Sequence, residues 1–212
     1  MKLHQHIRSS ASYRVRIALA LKGLPYENGI VDLLKGDQFA PAYAALNPAR
    51  LVPLLEDEGT CLTQSLAIIE YLEESHPQPP LLPAGAADRA WVRQLALSIA
   101  CDIHPLNNLR VLRRLKDSAG FSEEDTQAWA RHWIGEGFGA LEATLASSAR
   151  RGAFCFGDLP GLADICLVPQ MVNARRVGLE LSAYPTLLAI ERSCMALPAF
   201  SATHPSQWQP AA

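Results

Sequence analysis

Apolar positions along the first third of the chain switch between two rhythms. Lys2 to Ile7 is a short run that reads as a strand. Ser9 and Ser10 follow where a helix begins, because a serine oxygen accepts from the free N–H groups of a first turn. Ala11, Val15, Ala18 and Leu19 then recur at helical spacing and predict one broad apolar face. Lys22-Gly23 marks the end, a cation near the last carbonyls and then a residue that accepts a left-handed turn. Residues 24–31 read as a second strand. Gln38 to Leu46 predicts a short helix, stopped at Asn47-Pro48 because proline pushes the residue before it out of the helical region. Leu51-Val52-Pro53-Leu54-Leu55 is an apolar run whose proline marks a strand start, an edge or a cis bond. Glu56 to Gly59 reads as a turn and Cys61-Leu62 as a returning strand. Gln64-Ser65 opens a helix through Ala67, Ile68, Ile69, Tyr71 and Leu72. The predicted order is β-α-β-α-β-β-α.

The pattern changes after residues 76–86, a stretch with four prolines and a glycine. Asp88 to about Leu115 reads as a long helical stretch bent near Pro105. Ser122, with Asp125 three residues on, opens a helix to about Ala146. A third helix spans Gly161 to about Val177, and a fourth Pro185 to Leu197. Strand signals are nearly absent beyond residue 83, so the second domain is expected to be all-helical. The expected domains are 1–80 and 87–212, joined by a linker at 81–86. The tail after Phe200 reads as irregular, with Trp208 as the residue able to tie it down.

Composition narrows the class. A chain of 212 residues can bury one sizeable core or two smaller ones. It is 49% hydrophobic and 19% charged with a net charge of -2, which gives no sign of a nucleic-acid or membrane-surface binder. No apolar run approaches the ~20 residues that span a bilayer. Met1-Lys2-Leu3-His4 begins no apolar signal core. Five widely spaced cysteines without a Cys-x-x-Cys pair fit reduced cytosolic thiols, buried as small hydrophobes. His4 and His6 would share a strand face, but no third metal ligand accompanies them, so no metal is expected.

The strand, serine-rich turn and helix at the N-terminus form an anion-holding geometry. The stretch Arg8-Ser9-Ser10-Ala11-Ser12-Tyr13-Arg14-Val15-Arg16 resembles the active-site motif of zeta-class glutathione transferases, the maleylacetoacetate and maleylpyruvate isomerases. In that family Ser-Ser-Cys precedes an aromatic residue and Arg-Val-Arg; here Ala11 stands at the cysteine position. The resemblance extends through Ala45-Leu46-Asn47-Pro48, Leu51-Val52-Pro53, residues 64–74, Leu81-Leu82-Pro83, residues 103–108, Gly157-Asp158, residues 163–170 and Tyr184-Pro185. Each piece is weak alone; their order and spacing are specific. The resemblance implies an α/β domain of thioredoxin-like fold followed by an all-α domain. It also implies a cis bond at Val52–Pro53 and a homodimer.

Site residues follow from the motifs and the resemblance together. Ser9 and Ser10 could simply cap the first helix; the family reading gives Ser9 the leading role at the sulfur of glutathione and Ser10 a supporting one. Gln64 and Ser65 read as a helix start or as the holder of the γ-glutamyl carboxylate. The Val52 backbone, before Pro53, would pair with the cysteinyl backbone of glutathione by strand addition. His104, Asn107 and Asn108 lie one helical turn apart near a proline, and the family places glutathione contacts at His104 and Asn108. Arg8, Arg110 and Arg176 are candidate substrate-carboxylate binders, because guanidinium forks suit dicarboxylates. Arg113, Arg114 and Lys116 read as a solvated helix face. Asp164 reads as a folding residue in an incomplete capping box, Gly161 standing where Ser or Thr is usual.

The activity so implied is a cytoplasmic, glutathione-dependent cis–trans isomerisation of a maleyl keto acid to its fumaryl isomer. The alternatives are glutathione transfer to, or dehalogenation of, small halo acids, and a transferase-fold interaction protein without chemistry.

Overall fold

The computed structural model describes residues 1–207; Trp208 lies outside them. The chain divides into two compact units, Met1–Leu81 with the segment from Leu197, and Leu82–Ala196.

The first unit holds strands β1 (Lys2–Gln5), β2 (Glu27–Ile30), β3 (Leu54–Asp57) and β4 (Thr60–Thr63) in the order β2-β1-β3-β4. β1 runs parallel to β2 and antiparallel to β3, and β3 pairs with β4 as a hairpin. Helices α1 (Ser10–Leu21), α2 (Pro41–Leu46) and α3 (Ser65–Ser75) complete the β-α-β-α-β-β-α order of a thioredoxin-like domain. The Val52–Pro53 bond is cis. The expected turn at Glu56 to Gly59 is shorter than its sequence suggests. Glu56 and Asp57 pair with Cys61 and Thr60, leaving only Glu58-Gly59, both at positive φ, to turn the hairpin.

α1 departs most from expectation. The sequence predicts one apolar face, yet residues 12–19 are all buried, including Arg14 and Arg16 at 1% exposure each. The cause is tertiary. α1 packs on α3, and the C-terminal helix α9 (Pro198–Ser201) packs back onto it. The segment around Phe200 and Thr203 is therefore held in place: Tyr13 Oη donates to Phe200 O at 2.6 Å and Arg16 Nε to Thr203 O at 3.1 Å. At the far end of α1, buried Lys22 donates to Glu73 at 2.8 Å and to the carbonyls of His76 and Pro79. Glu73 in turn accepts from Leu81 N, so the proline-rich stretch is fixed to α3.

In the second unit the long helical stretch expected from Asp88 to about Leu115, with a bend near Pro105, is two helices that part around that proline. α4 (Ala86–Leu97) passes into a π-helical turn, Ser98–Ile103, and a 3-10 turn, His104–Asn107; α5 (Leu109–Ala119) then starts afresh with Asn108 as its cap. Pro105 lacks a donor and forces the chain out of α geometry, and Trp129 Nε1 holds the resulting turn through Leu106 O at 2.8 Å. α6 (Glu123–Ala146) begins in a reciprocal box between Ser122 and Asp125. α7 (Leu162–Arg176) and α8 (Pro185–Met195) complete the bundle, in which α7 packs against α4 and α8.

Asp164 is 1% exposed and accepts from Gly161 N at 2.9 Å and from Cys155 N at 2.8 Å. Burial raises its carboxyl above the usual range. It therefore closes half a capping box and spends its other oxygen on the preceding loop. Of the five cysteines, Cys155, Cys166 and Cys194 are buried as expected, while Cys61 and Cys101 are exposed. Among the described residues no helix is long and apolar enough to cross a membrane.

Candidate functional site

The first unit positions its candidate residues at two helix N-termini. Ser9 is the N-cap of α1, with extended backbone and an Oγ that accepts from Ser12 N at 3.2 Å. A hydroxyl carries two acceptor sites and one donor. The cap occupies an acceptor site, so capping and donation to a sulfur do not compete. Ser9 N donates to His6 O at 3.0 Å, which closes the turn between β1 and α1. Ser10, the first residue of α1, is 6% exposed, and Arg8 is exposed. The first-turn N–H groups of a helix lack intrahelical acceptors and carry the positive end of its dipole.

The second N-terminus belongs to α3. Gln64 sits before it at φ 70, ψ 114. A left-handed backbone at a non-glycine residue costs about 1–3 kcal/mol and concentrates at ligand sites. That strain turns the chain from β4 into α3 so that Ser65, 6% exposed, heads the helix. Arg14, in the second turn of α1, donates from Nη1 to Ser65 Oγ at 3.3 Å and so links α1 to the N-terminus of α3. Val52 and Pro53 lie just ahead of β3, whose ladder begins at Leu54. Leu51 O accepts from Tyr43 Oη at 2.5 Å and from Asn47 Nδ2 at 2.7 Å, which fixes the approach to the cis bond.

In the second unit His104 opens the 3-10 turn and is half-buried. Asn107 Nδ2 donates to Ile103 O at 2.9 Å. Asn108 Oδ1 accepts from Arg110 N at 3.1 Å, a cap that leaves its amide nitrogen for other partners. Arg110 is exposed, as are Arg113 and Arg114, while Lys116 pairs with Glu123. The adjacent arginines at the end of α7 have different partners. Arg175 makes a two-pronged pair with Glu191, both contacts at 2.5 Å. Arg176 is exposed, and its Nη1 donates to Asn173 Oδ1 at 3.3 Å.

His4 pairs with Glu56, and His6 Nδ1 lies 3.2 Å from Val31 O. No group of residues suited to a metal ion occurs among the described residues. Sequence reasoning assigned nothing to Arg14 and Arg16. The available signal was two arginines set two apart inside an otherwise apolar helix, which on a soluble surface helix would have faced solvent.

Comparison with known proteins agrees with this architecture. Residues 3–80 match the family model of the glutathione S-transferase N-terminal domain. The chain is 50% identical over 208 residues to maleylacetoacetate isomerase of Rhizobium meliloti, covering 98% of this chain and 97% of that one. Among solved structures, the holo structure of maleyl pyruvate isomerase, a bacterial zeta-class glutathione S-transferase, superposes with a TM-score of 0.97. It is 47% identical, and the match covers all of both chains. Maleylacetoacetate isomerase from Anaeromyxobacter dehalogenans 2CP-1, solved with dicarboxyethyl glutathione and citrate in its active site, gives a TM-score of 0.87 at 44% identity, over 100% of this chain and 93% of that one. With the thioredoxin-like sheet, the cis Val52–Pro53 step and near-complete coverage at such identities, the chain belongs to the zeta-class glutathione transferases, the family of the maleylacetoacetate and maleylpyruvate isomerases.

Proposed function

We propose that this protein is a glutathione-dependent cis–trans isomerase that converts a maleyl keto acid, maleylacetoacetate or maleylpyruvate, to its fumaryl isomer. The observation that carries the reading is the Arg14–Ser65 contact, which sets a buried cation of α1 at the N-terminus of α3. Such a place suits the γ-glutamyl carboxylate of the tripeptide. The dicarboxyethyl glutathione held by the Anaeromyxobacter relative is a thioether between glutathione and a four-carbon dicarboxylate. Glutathione, when bound, supplies the thiolate that adds reversibly across the cis double bond and so frees it to rotate.

The residues of this chain bind, orient and tune. Ser65 and the N-terminus of α3 hold the γ-glutamyl carboxylate, with Gln64 shaping the approach. The Val52 backbone, set by cis-Pro53, takes the cysteinyl backbone. Ser9 donates its hydroxyl hydrogen toward the sulfur, and Ser10 lies beside it at the α1 N-terminus. A free thiol of pKa ~8.5 is only a few per cent ionised at neutral pH. Lowering it by about two units takes roughly 2.7 kcal/mol of preferential thiolate stabilisation. One charge-assisted hydrogen bond and a helix N-terminus are of that order. His104 and Asn108 add glutathione contacts, and Arg8, Arg110 and Arg176 receive the substrate carboxylates. Ala11 removes a thiol the reaction does not need, because the reacting sulfur is glutathione's own.

The reading places the protein in the cytoplasm as a homodimer, the latter checked by sedimentation equilibrium. The test of function is a paired assay of both maleyl acids with and without glutathione. Isomerisation of at least one, strictly dependent on glutathione, is expected. Inertness toward both, with turnover of a halo acid, would replace this reading.

A further inference from the structure

Arg16 is a buried charge with an unusual set of partners. At 1% exposure its Nη1 donates to Gln5 Oε1 at 2.7 Å, its Nη2 to Ile7 O at 3.2 Å and its Nε to Thr203 O at 3.1 Å. All three acceptors are neutral oxygens. Burial draws the guanidinium down to about 10, still well above neutral pH, so the charge persists. A rigid five-donor fork can hold several acceptors in fixed directions, which an ammonium cannot.

The three acceptors lie on three different parts of the first unit. Gln5 ends β1. Ile7 lies in the turn that leads to Ser9, two residues before it. Thr203 lies in the C-terminal segment, which Tyr13 also holds through Phe200 O at 2.6 Å. Tyr13 further meets His204 edge-on at 5.7 Å, and the Arg16 guanidinium lies 5.2 Å from the centre of the Tyr13 ring. One side chain therefore ties the chain's last segment to the turn that presents Ser9.

We propose that Arg16 is a positioning residue for the sulfur-binding turn and makes its geometry depend on the C-terminal segment 197–207. The inference rests on the assignment of Ser9 to the sulfur. A hydrogen bond to a thiolate weakens steeply with angle and distance, so a small displacement of the 6–9 turn is felt at Ser9 Oγ. Packing alone would tolerate loss of the fork with a change in stability only.

The test is the ultraviolet titration of glutathione bound to the full-length protein, in wild type, Arg16→Lys and Tyr13→Phe. Arg16→Lys keeps the charge and loses the fork. Tyr13→Phe keeps the ring and releases one tail contact without touching the 6–9 turn. Arg16→Lys is expected to raise the bound thiol pKa by about one unit and so to lower kcat at neutral pH about threefold, while glutathione affinity changes less than about threefold. Tyr13→Phe should shift the thiol in the same direction by less, together with faster amide exchange at residues 200–204. Lower melting temperatures with unshifted thiol titrations would overturn the proposal. If Arg16→Lys does not fold, Tyr13→Phe decides alone: a shift supports the link and an unshifted titration removes it. A wild-type protein that binds glutathione without lowering its thiol pKa would instead sink the sulfur-site assignment, and this inference with it.

Discussion

Arg14 on α1 reaches the first residue of α3 and donates from Nη1 to Ser65 Oγ at 3.3 Å. Both residues are buried, Arg14 at 1% and Ser65 at 6% exposure. The bond orients the Ser65 hydroxyl and sets a permanent positive charge behind a helix N-terminus, two features that favour an anion at the same place.

Ser65→Ala should weaken glutathione binding about tenfold to a hundredfold, since a hydrogen bond to a charged group is worth about 1.5–3 kcal/mol and 1.4 kcal/mol is tenfold. Titration calorimetry reads this directly. Unchanged affinity would place the γ-glutamyl carboxylate elsewhere.

Ser9→Ala removes a cap and a donor together, and the two losses appear in different measurements. Loss of the cap should lower stability by about 1 kcal/mol, seen in denaturant unfolding. Loss of the donor should raise the bound thiol pKa and reduce turnover. A stability change with an unshifted thiol titration would leave Ser9 as a helix cap and pass the sulfur contact to Ser10 or to the α1 N-terminus alone.

Arg176→Ala should lose one to three orders of magnitude in kcat/KM for the maleyl acid and bind glutathione almost normally. Removing one partner of a partly buried charge pair costs about 2–5 kcal/mol. Arg176→Lys should recover only part, because an ammonium makes no two-pronged contact. Arg175→Ala is the contrast: its fork is engaged by Glu191, so the expected change is in stability. Full isomerase efficiency in Arg176→Ala would make it a surface residue.

Asp164→Ala strips the acceptor from two N–H groups and should destabilise the chain by about 2–5 kcal/mol without altering turnover per folded molecule. The pH response has a defined sign. Burial raises this carboxyl above its ordinary 3.8, so the native chain holds the proton more tightly than the unfolded one. The linked stability is full below pH 3.8 and declines as pH rises through the native value. Asp164→Asn removes that slope. Parallel unfolding curves for wild type and Asp164→Asn from pH 4 to 7 would contradict it.

Much of the order of elements could be read from local pattern. Alternation, helix caps and prolines act over a few residues, and Ser9, Ser122, Asn47-Pro48 and Gln64-Ser65 marked their boundaries because the relevant hydrogen bonds and steric clashes are local. The same local character explains the errors. Residues 88–115 read as a helical stretch that only bends near Pro105, because periodicity carries through a π turn and a 3-10 turn nearly unbroken. Glu56 and Asp57 read as a turn because an edge hairpin tolerates charges that a buried strand would not.

The partners that Arg14, Arg16 and Arg175 take depend on tertiary structure alone. Arg14 and Arg16 differ by two positions, and so lie on different sides of α1; one meets the start of α3, the other a segment 187 residues away in sequence. Arg175 and Arg176 are neighbours, and the position of Glu191 on α8 decides that Arg175 pairs with it, while Arg176 donates to Asn173. The order of elements in the first unit, the helix starts at Ser9, Gln64-Ser65 and Ser122, and the family motif could be read locally, because these depend on bonds within a few residues or on identity in order; the return of the segment from Leu197 to the first unit could not. The tertiary structure decided the burial of α1 on every side, the anchoring of the tail and the partners of the buried charges. Those depend on which distant surfaces meet, and a buried guanidinium takes whatever acceptors that meeting supplies.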